Sequence, residues 1–294
     1  MTVQEINEKI LALGELPNVD VFNMGYSLLS KPIIGVHIGS YTGNQILIQG
    51  AIHAREYITA LLLIEQVKYL ADKQFEGGFY FIPLMNPDGV DLVLEGTKNI
   101  HCEKLRDFLL LVNDGNEDFS EWKANANAVD MNTNFDADWG QGKQNVFCVA
   151  PANFVGYYPN SEREVRELEN FALKNRPQMT ISYHSRGEVI YYGFTGQSDD
   201  ELARDLKIAS EIAEVTGYQV LRSLGSVAGF KDWTTRVLNV PAVTIEVGNF
   251  DMGSPITEAY LSEIFERNKL VPETAMNALR FTQSLRKGLW KNTF

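Results

Sequence analysis

Ile48-Gln49-Gly50-Ala51-Ile52-His53-Ala54-Arg55-Glu56-Tyr57-Ile58-Thr59 carries an apolar run into a His-x-x-Glu pair and then into a helical pattern. The run before it, Gln45 to Gln49, reads as a buried strand, and Ile58 to Ala71 keeps apolar residues at helical spacing. A strand passing directly into a helix is the unit of an α/β sheet, and such sheets place chemistry at the C-terminal ends of their strands. His53 and Glu56 stand at that junction.

Two later segments repeat the arrangement. Thr180-Ile181-Ser182-Tyr183-His184-Ser185-Arg186-Gly187 ends a second strand-like run on His184. Val243-Thr244-Ile245-Glu246-Val247-Gly248 places a carboxylate in a stretch otherwise fit for burial. A buried carboxylate without a partner is costly. Catalytic zinc takes three protein ligands and leaves one position open, and two His with one Glu suits it. A fourth group that is not a ligand and can accept a proton from water then completes a hydrolytic site, which gives Glu246 a reason to be buried.

Further strand-like runs are Val21–Met24, Ile33–Ile38, Gly78–Pro83, Thr180–Tyr183, Val189–Tyr192 and Ala242–Val247. Helical spacing is expected over Val3–Leu13, Ser161–Asn175, Asp199–Thr216, Phe230–Leu238 and Thr257–Lys287, with Ser161 and Glu164 forming a capping box. The alternation predicts one α/β domain over residues 1–294: a twisted, mixed but mostly parallel sheet with helices on both faces. Residues 86–160 show little periodicity and much Asn, Asp and Gly; a loop of that length is expected to form a wall of the site.

At 45% hydrophobic and 22% charged, the 294 residues suffice for a large core. Lys and Arg total 26 against 38 Asp and Glu, a net −12, which argues against nucleic acid or anionic membrane as partner. No basic-then-apolar leader opens the chain and no apolar run has membrane-spanning length. Cys102 and Cys148 are too few for a disulfide framework, so free thiols and a cytoplasmic location are expected. His101 stands in no comparable context and is expected on the surface or the wall.

From about Tyr26 to Gly248 the chain resembles the zinc carboxypeptidases. Other landmarks of the resemblance are Asn86-Pro87-Asp88-Gly89-Val90-Asp91, Trp122-Lys123-Ala124-Asn125, Val129-Asp130-Met131-Asn132-Thr133-Asn134-Phe135 and Lys231-Asp232-Trp233. The resemblance implies the family's ligand set on His53, Glu56 and His184, one Zn²⁺ per chain, a peptide substrate, and Glu246 as general base.

Departures from the family's pattern bear on specificity. Lys123 follows Trp122 where the family carries an Arg that polarises the scissile carbonyl; Arg55 and Arg106 compete with it for that role. Thr133 stands where the family has an Arg that pairs with the substrate's terminal carboxylate, a contact a neutral hydroxyl cannot make. The Tyr expected a few residues before Asp232-Trp233 is missing from Leu221 to Gly225. Arg186 and Lys231 are the cations expected to read substrate carboxylates instead, with Asn132, Arg55 and Ser185 as further substrate contacts. Together His184-Ser185-Arg186-Gly187-Glu188 and Gly229-Phe230-Lys231-Asp232-Trp233 most resemble the bacterial γ-D-glutamyl-meso-diaminopimelate peptidases. The implied substrate is a murein-type peptide; with no wall-binding module visible, soluble fragments are expected. The alternatives are a carboxypeptidase for acidic C-terminal residues, a zinc amidase or deacylase, and a non-catalytic binding protein.

Overall fold

Eight strands line up in the order β1-β2-β4-β3-β5-β8-β6-β7 in the computed structural model. It describes residues 1–291, with side chains through residue 285. The strands are β1 (Val19–Tyr26), β2 (Pro32–Gly39), β3 (Gln45–Gln49), β4 (Gly78–Ile82), β5 (Met179–Ser185), β6 (Val189–Tyr192), β7 (Gln219–Arg222) and β8 (Ala242–Val247). The four central strands β4, β3, β5 and β8 are mutually parallel, while β1, β2 and β6 pair antiparallel with their inner neighbours. The sheet is thus mixed and largely parallel, as expected. The last three residues of the expected 1–294 domain lie outside the described residues.

Strand alternation divides the apolar residues between two cores. Ile46 and Ile48, Phe79 and Phe81, Ile181 and Tyr183, and Val243 and Ile245 face one side. There they meet α1 (Val3–Ala12), α2 (Ile58–Ala71), α6 (Asp199–Thr216), α8 (Leu261–Asn268) and α9 (Val271–Lys291). Leu47, Tyr80 and Ile82 face the other side, against α5 (Arg163–Asn175) and α7 (Phe230–Trp233). Helix α2 lies between the sheet and outer helices, so Leu61, Leu62 and Leu63 are all buried although they point in different directions. Each such side chain contributes about 1.5–3 kcal/mol by leaving water.

The same alternation sets the polar residues. In β5, Thr180, Ser182 and His184 point away from Ile181 and Tyr183; in β8, Thr244 and Glu246 point away from Val243, Ile245 and Val247. Register pairs His184 with Glu246 across neighbouring parallel strands, so both project from the same face near the strand ends.

Four local expectations are corrected. Residues 86–160 hold two helices, α3 (Pro87–Glu95) and α4 (Glu103–Val112). Asn86 caps α3 by accepting from Gly89 N, and Pro87 occupies its first turn. Strand β7 was not expected; it is a short, mostly exposed edge strand. The helix expected over Thr257–Lys287 is divided into α8 and α9, with Pro272 in the first turn of the second. The Ser161/Glu164 capping box is absent: α5 starts at Arg163, and Glu164 is buried and accepts from Leu28 N. Among the described residues no helix is long and apolar enough to cross a membrane.

Candidate metal centre and active site

The chain leaves β3 through Gly50-Ala51 and reaches α2 by a single 3₁₀ turn, Ala54–Glu56. Gly50 passes so close to the first turn of α2 that a Cβ there would lie 3.0 Å from Thr59 Oγ1. Thr59 Oγ1 in turn donates to Glu56 O and accepts from Ala51 N. Asn86 Nδ2 donates to Ile52 O and Ala124 O, and Ala54 N and Arg55 N donate to Lys123 O and Trp122 O. The segment carrying His53 and Glu56 is thereby pinned on both sides.

The structure brings His53, Glu56 and His184 together: one candidate ligand atom from each lies within 4.8 Å of the others, and all three residues are buried. His53 Nδ1 is 3.0 Å from Glu56 Oε1 and 3.0 Å from His184 Nδ1; His184 Nδ1 is 2.9 Å from Glu56 Oε2. Donors around a tetrahedral zinc at about 2.0–2.1 Å stand about 3.3 Å apart, so a slight expansion of this cluster admits the ion. The remaining ring nitrogens face outward. His53 Nε2 lies 3.0 Å from Asp130 Oδ1, and His184 Nε2 lies 3.5 Å from Asn132 Nδ2. A carboxylate behind an imidazole fixes the tautomer that presents the opposite nitrogen to a metal.

Electrostatics makes the same demand. Burial alone would lower the His53 pKa, but the carboxylates of Glu56 and Asp130 outweigh it and hold it at about 9. Glu56 and Asp130 are held well below the ordinary carboxylate range: burial opposes ionisation, but the charges of His53 and of His184 or Lys123 overcome it. His184 is lowered, chiefly by burial. Two buried carboxylates around His53 thus favour a positive charge in the cluster.

Glu246 is half-buried and faces the same space. Burial, and then the negative charge of Glu56, raises its pKa to about 8. A cavity of about 290 Å³ opens here, lined by His53, Glu56, Glu246, Arg55, Lys123 and Arg186 together with Ser185, Glu121, Phe250, Gly253, Ser254 and Ile256. Lys123 Nζ is 3.5 Å from Asp130 Oδ2. Arg55 Nη1 is 2.6 Å from Glu121 Oε2. Ser185 N donates to Glu56 Oε2, and Arg186 Nη1 donates to Phe250 O.

Other expected site residues lie elsewhere. The Lys231 ammonium does not reach the cavity; it forms a buried ion pair with its neighbour Asp232 and donates to Gly193 O. Its long stem turns inward because an acid one residue away gives the charge a partner there. Asn132 flanks the cluster through His184 rather than lining the cavity, and its Oδ1 accepts from Phe230 N. Thr133 Oγ1 donates to Asp130 O. His101 is exposed and Arg106 lies outside the cavity. Asp130 was not singled out from the sequence. Its Oδ1 also accepts from Asn132 N and its Oδ2 from Asn153 N, so one buried carboxylate ties the wall loop to His53.

A model of the zinc carboxypeptidase family matches residues 12–270. γ-D-Glutamyl-L-diamino acid endopeptidase 1 of Lysinibacillus sphaericus is 30% identical over 251 residues, 80% of this chain and 62% of that protein, so the chain spans under two-thirds of that relative. Among solved structures, bovine thrombin-activatable fibrinolysis inhibitor bound to tick carboxypeptidase inhibitor superposes with a TM-score of 0.73 at 20% identity, covering 95% of this chain and 97% of its own. The murein-tripeptide amidase MpaA of Escherichia coli O157 gives 0.57 at 21% identity, with 91% and 94% covered. At these identities the structural likeness is one of fold.

Proposed function

This chain belongs to the zinc carboxypeptidase family, and within it we propose a zinc peptidase that cleaves the γ-D-glutamyl bond to a diamino acid in murein-type peptides. The observation that carries the reading is the convergence of His53, Glu56 and His184 with Glu246, paired in register with His184, at one cavity. In this reading His53 and His184 present Nδ1 to Zn²⁺ and Glu56 its carboxylate. Bound zinc supplies Lewis acidity, which makes water a better nucleophile and polarises a carbonyl.

The chain's own residues do the rest. Asp130 holds the His53 ring and its tautomer through Nε2. Glu246 accepts the proton of the attacking water on a carboxylate oxygen and returns it to the leaving amine. Burial and the charge of Glu56 raise its pKa, which favours the protonated form that hands the proton on, while a neighbouring dication would act in the opposite sense and favour the base. Lys123, steered by Asp130, offers positive charge to the developing oxyanion. Arg55 is neutralised by Glu121 and braces the rim.

The substrate assignment draws on the L. sphaericus relative, whose name specifies a γ-D-glutamyl-L-diamino acid bond. Thr133, engaged with backbone, also leaves out the terminal-carboxylate clamp of an exopeptidase. The acidic-residue carboxypeptidase loses its main support because Lys231 is already paired. Exposed free Cys102 and Cys148 fit a reducing compartment, and action on wall-derived fragments in the cytoplasm is part of this proposal. The test is product analysis with zinc-loaded protein on a γ-D-glutamyl-diaminopimelate peptide beside an α-linked L-peptide of equal length. Cleavage of the first alone is expected. Release of the C-terminal residue of the second alone would replace this reading by the exopeptidase.

A further inference from the structure

Of the cations expected to touch substrate, Arg106 lies outside the cavity, and three of the other four already have an acid. Arg55 is held by Glu121, Lys123 lies beside Asp130, and Lys231 is paired with Asp232. Arg186 lines the cavity and, among the described residues, has no carboxylate within ion-pair distance. Its guanidinium is nonetheless held in place. Nη1 donates to Phe250 O at 2.9 Å, and the group sits 5.4 Å above the Phe250 ring. One edge of the fork is fixed and the rest remains open to the cavity. The backbone just before it is fixed as well, because Ser185 N donates to Glu56 Oε2 at 3.2 Å. A planar guanidinium prepared in this way suits two-point contact with a carboxylate, and a half-buried, pre-placed cation loses little entropy on binding one.

The side of the scissile bond follows from His184. Its Nε2 faces Asn132, next to Thr133, the position at which the family's exopeptidases clamp the carboxylate of the leaving residue. Its Nδ1 faces His53 and Glu56, which line the Arg186 cavity. Arg186 lines a cavity that Asn132 and Thr133 do not, so a carboxylate it reads is assigned to the acyl side, away from the leaving residue. An α-linked peptide carries no backbone carboxylate there. A γ-linked glutamyl residue does: its α-carboxylate stays free, a three-carbon spacer away from the scissile carbonyl.

We propose that Arg186, cradled by Phe250, is the specificity residue that binds the free α-carboxylate of a γ-linked acyl residue and so selects γ- over α-linked peptides. This inference rests on the peptidase reading above. The experiment compares two γ-D-glutamyl-diaminopimelate peptides that differ only in having the glutamyl α-carboxylate free or converted to its carboxamide. The zinc-loaded wild type is expected to favour the acid by about tenfold or more in kcat/KM, the lower end for a hydrogen-bonded contact between charged groups. In R186M that ratio is expected to fall to within about threefold of one. R186K, which keeps charge without the fork, falls between them. F250A removes the ring but keeps the carbonyl and lowers the ratio less than R186M. Should R186M not fold, R186K with wild-type zinc content carries the test, and a wild-type ratio in either variant overturns the assignment. A wild type that cleaves acid and amide equally also overturns it and leaves the peptidase reading standing. A zinc-loaded wild type that cleaves neither overturns both.

Discussion

Replacing Asp130 by Asn should weaken zinc binding while leaving the fold intact. Asp130 Oδ1 faces His53 Nε2 at 3.0 Å and accepts from Asn132 N at 3.1 Å; Oδ2 accepts from Asn153 N at 3.1 Å, with Lys123 Nζ at 3.5 Å. Every neighbour is a donor, and only a carboxylate accepts on both sides. An amide placed with its oxygen towards His53 sets its NH₂ against the Asn153 amide and the Lys123 ammonium. Turned round, it sets the NH₂ against His53 Nε2 and favours the tautomer that carries its proton on Nδ1, the atom facing Glu56 and His184. Either orientation leaves a buried donor unmatched, at about 1–3 kcal/mol. That range agrees with the tenfold to hundredfold loss of metal affinity usual when the group behind a ligating His is removed, about 1.4–2.7 kcal/mol. Competition with a chromophoric chelator measures the zinc Kd of wild type and D130N, while circular dichroism checks the fold. A folded D130N with a Kd within twofold of wild type would refute the reasoning, because it would mean that the carboxylate does not set the His53 tautomer.

Three other outcomes are expected. E246Q should keep its zinc and lose about 10²–10⁴ in kcat, since the amide fills the same space but cannot take a proton; near-normal turnover with metal bound would remove Glu246 from the mechanism. Above pH 6.5, where the lowered His184 no longer opposes it, the metal-free protein should lose stability, read as a falling Tm, because His53 at about 9 against its ordinary 6.5 contributes stability fully present below 6.5 and lost through 9, and Glu246 at about 8 acts in the same sense. Zinc must displace the His53 proton, so apparent affinity should climb by about tenfold per pH unit up to about 9, and a flat profile by titration calorimetry would contradict this. K231M should cost about 3–5 kcal/mol by stranding the buried Asp232 carboxylate, read as a fall in Tm, without changing the preference between acid and amide substrates; a Tm equal to that of wild type would show that the pair is dispensable.

The central strands were legible because they are buried on both faces and read as continuous apolar runs, Gln45–Gln49 and Gly78–Ile82 among them. Strand β7 escaped notice because Gln219-Val220-Leu221-Arg222 is short, mostly exposed and needs only β6 as a partner. Helix α3 was hidden by Asn86-Pro87-Asp88-Gly89, which spells a turn as readily as a capped helix start. His53, Glu56, His184 and Glu246 stood out because a strand end is a defined place in an α/β sheet. Asp130 did not, since nothing local tells a loop carboxylate that its partner lies 77 residues upstream. Lys231 was misplaced for the opposite reason: its partner is the very next residue, and proximity in sequence outweighed the pull of the pocket.

The register that sets His184 beside Glu246 stores the chemistry as parity. Deleting one residue from β8 would exchange Glu246 for an apolar neighbour and send the carboxylate into the opposite core. Deleting two would restore the face but displace the base along the strand by about 6.6 Å, out of phase with His184. Point changes at Val243, Ile245 or Val247 erode stability and leave the reach of the base untouched. The two middle strands thus tolerate spelling changes but not shifts of reading frame in space, and any lengthening of the chain here has to be absorbed by the loops that follow them.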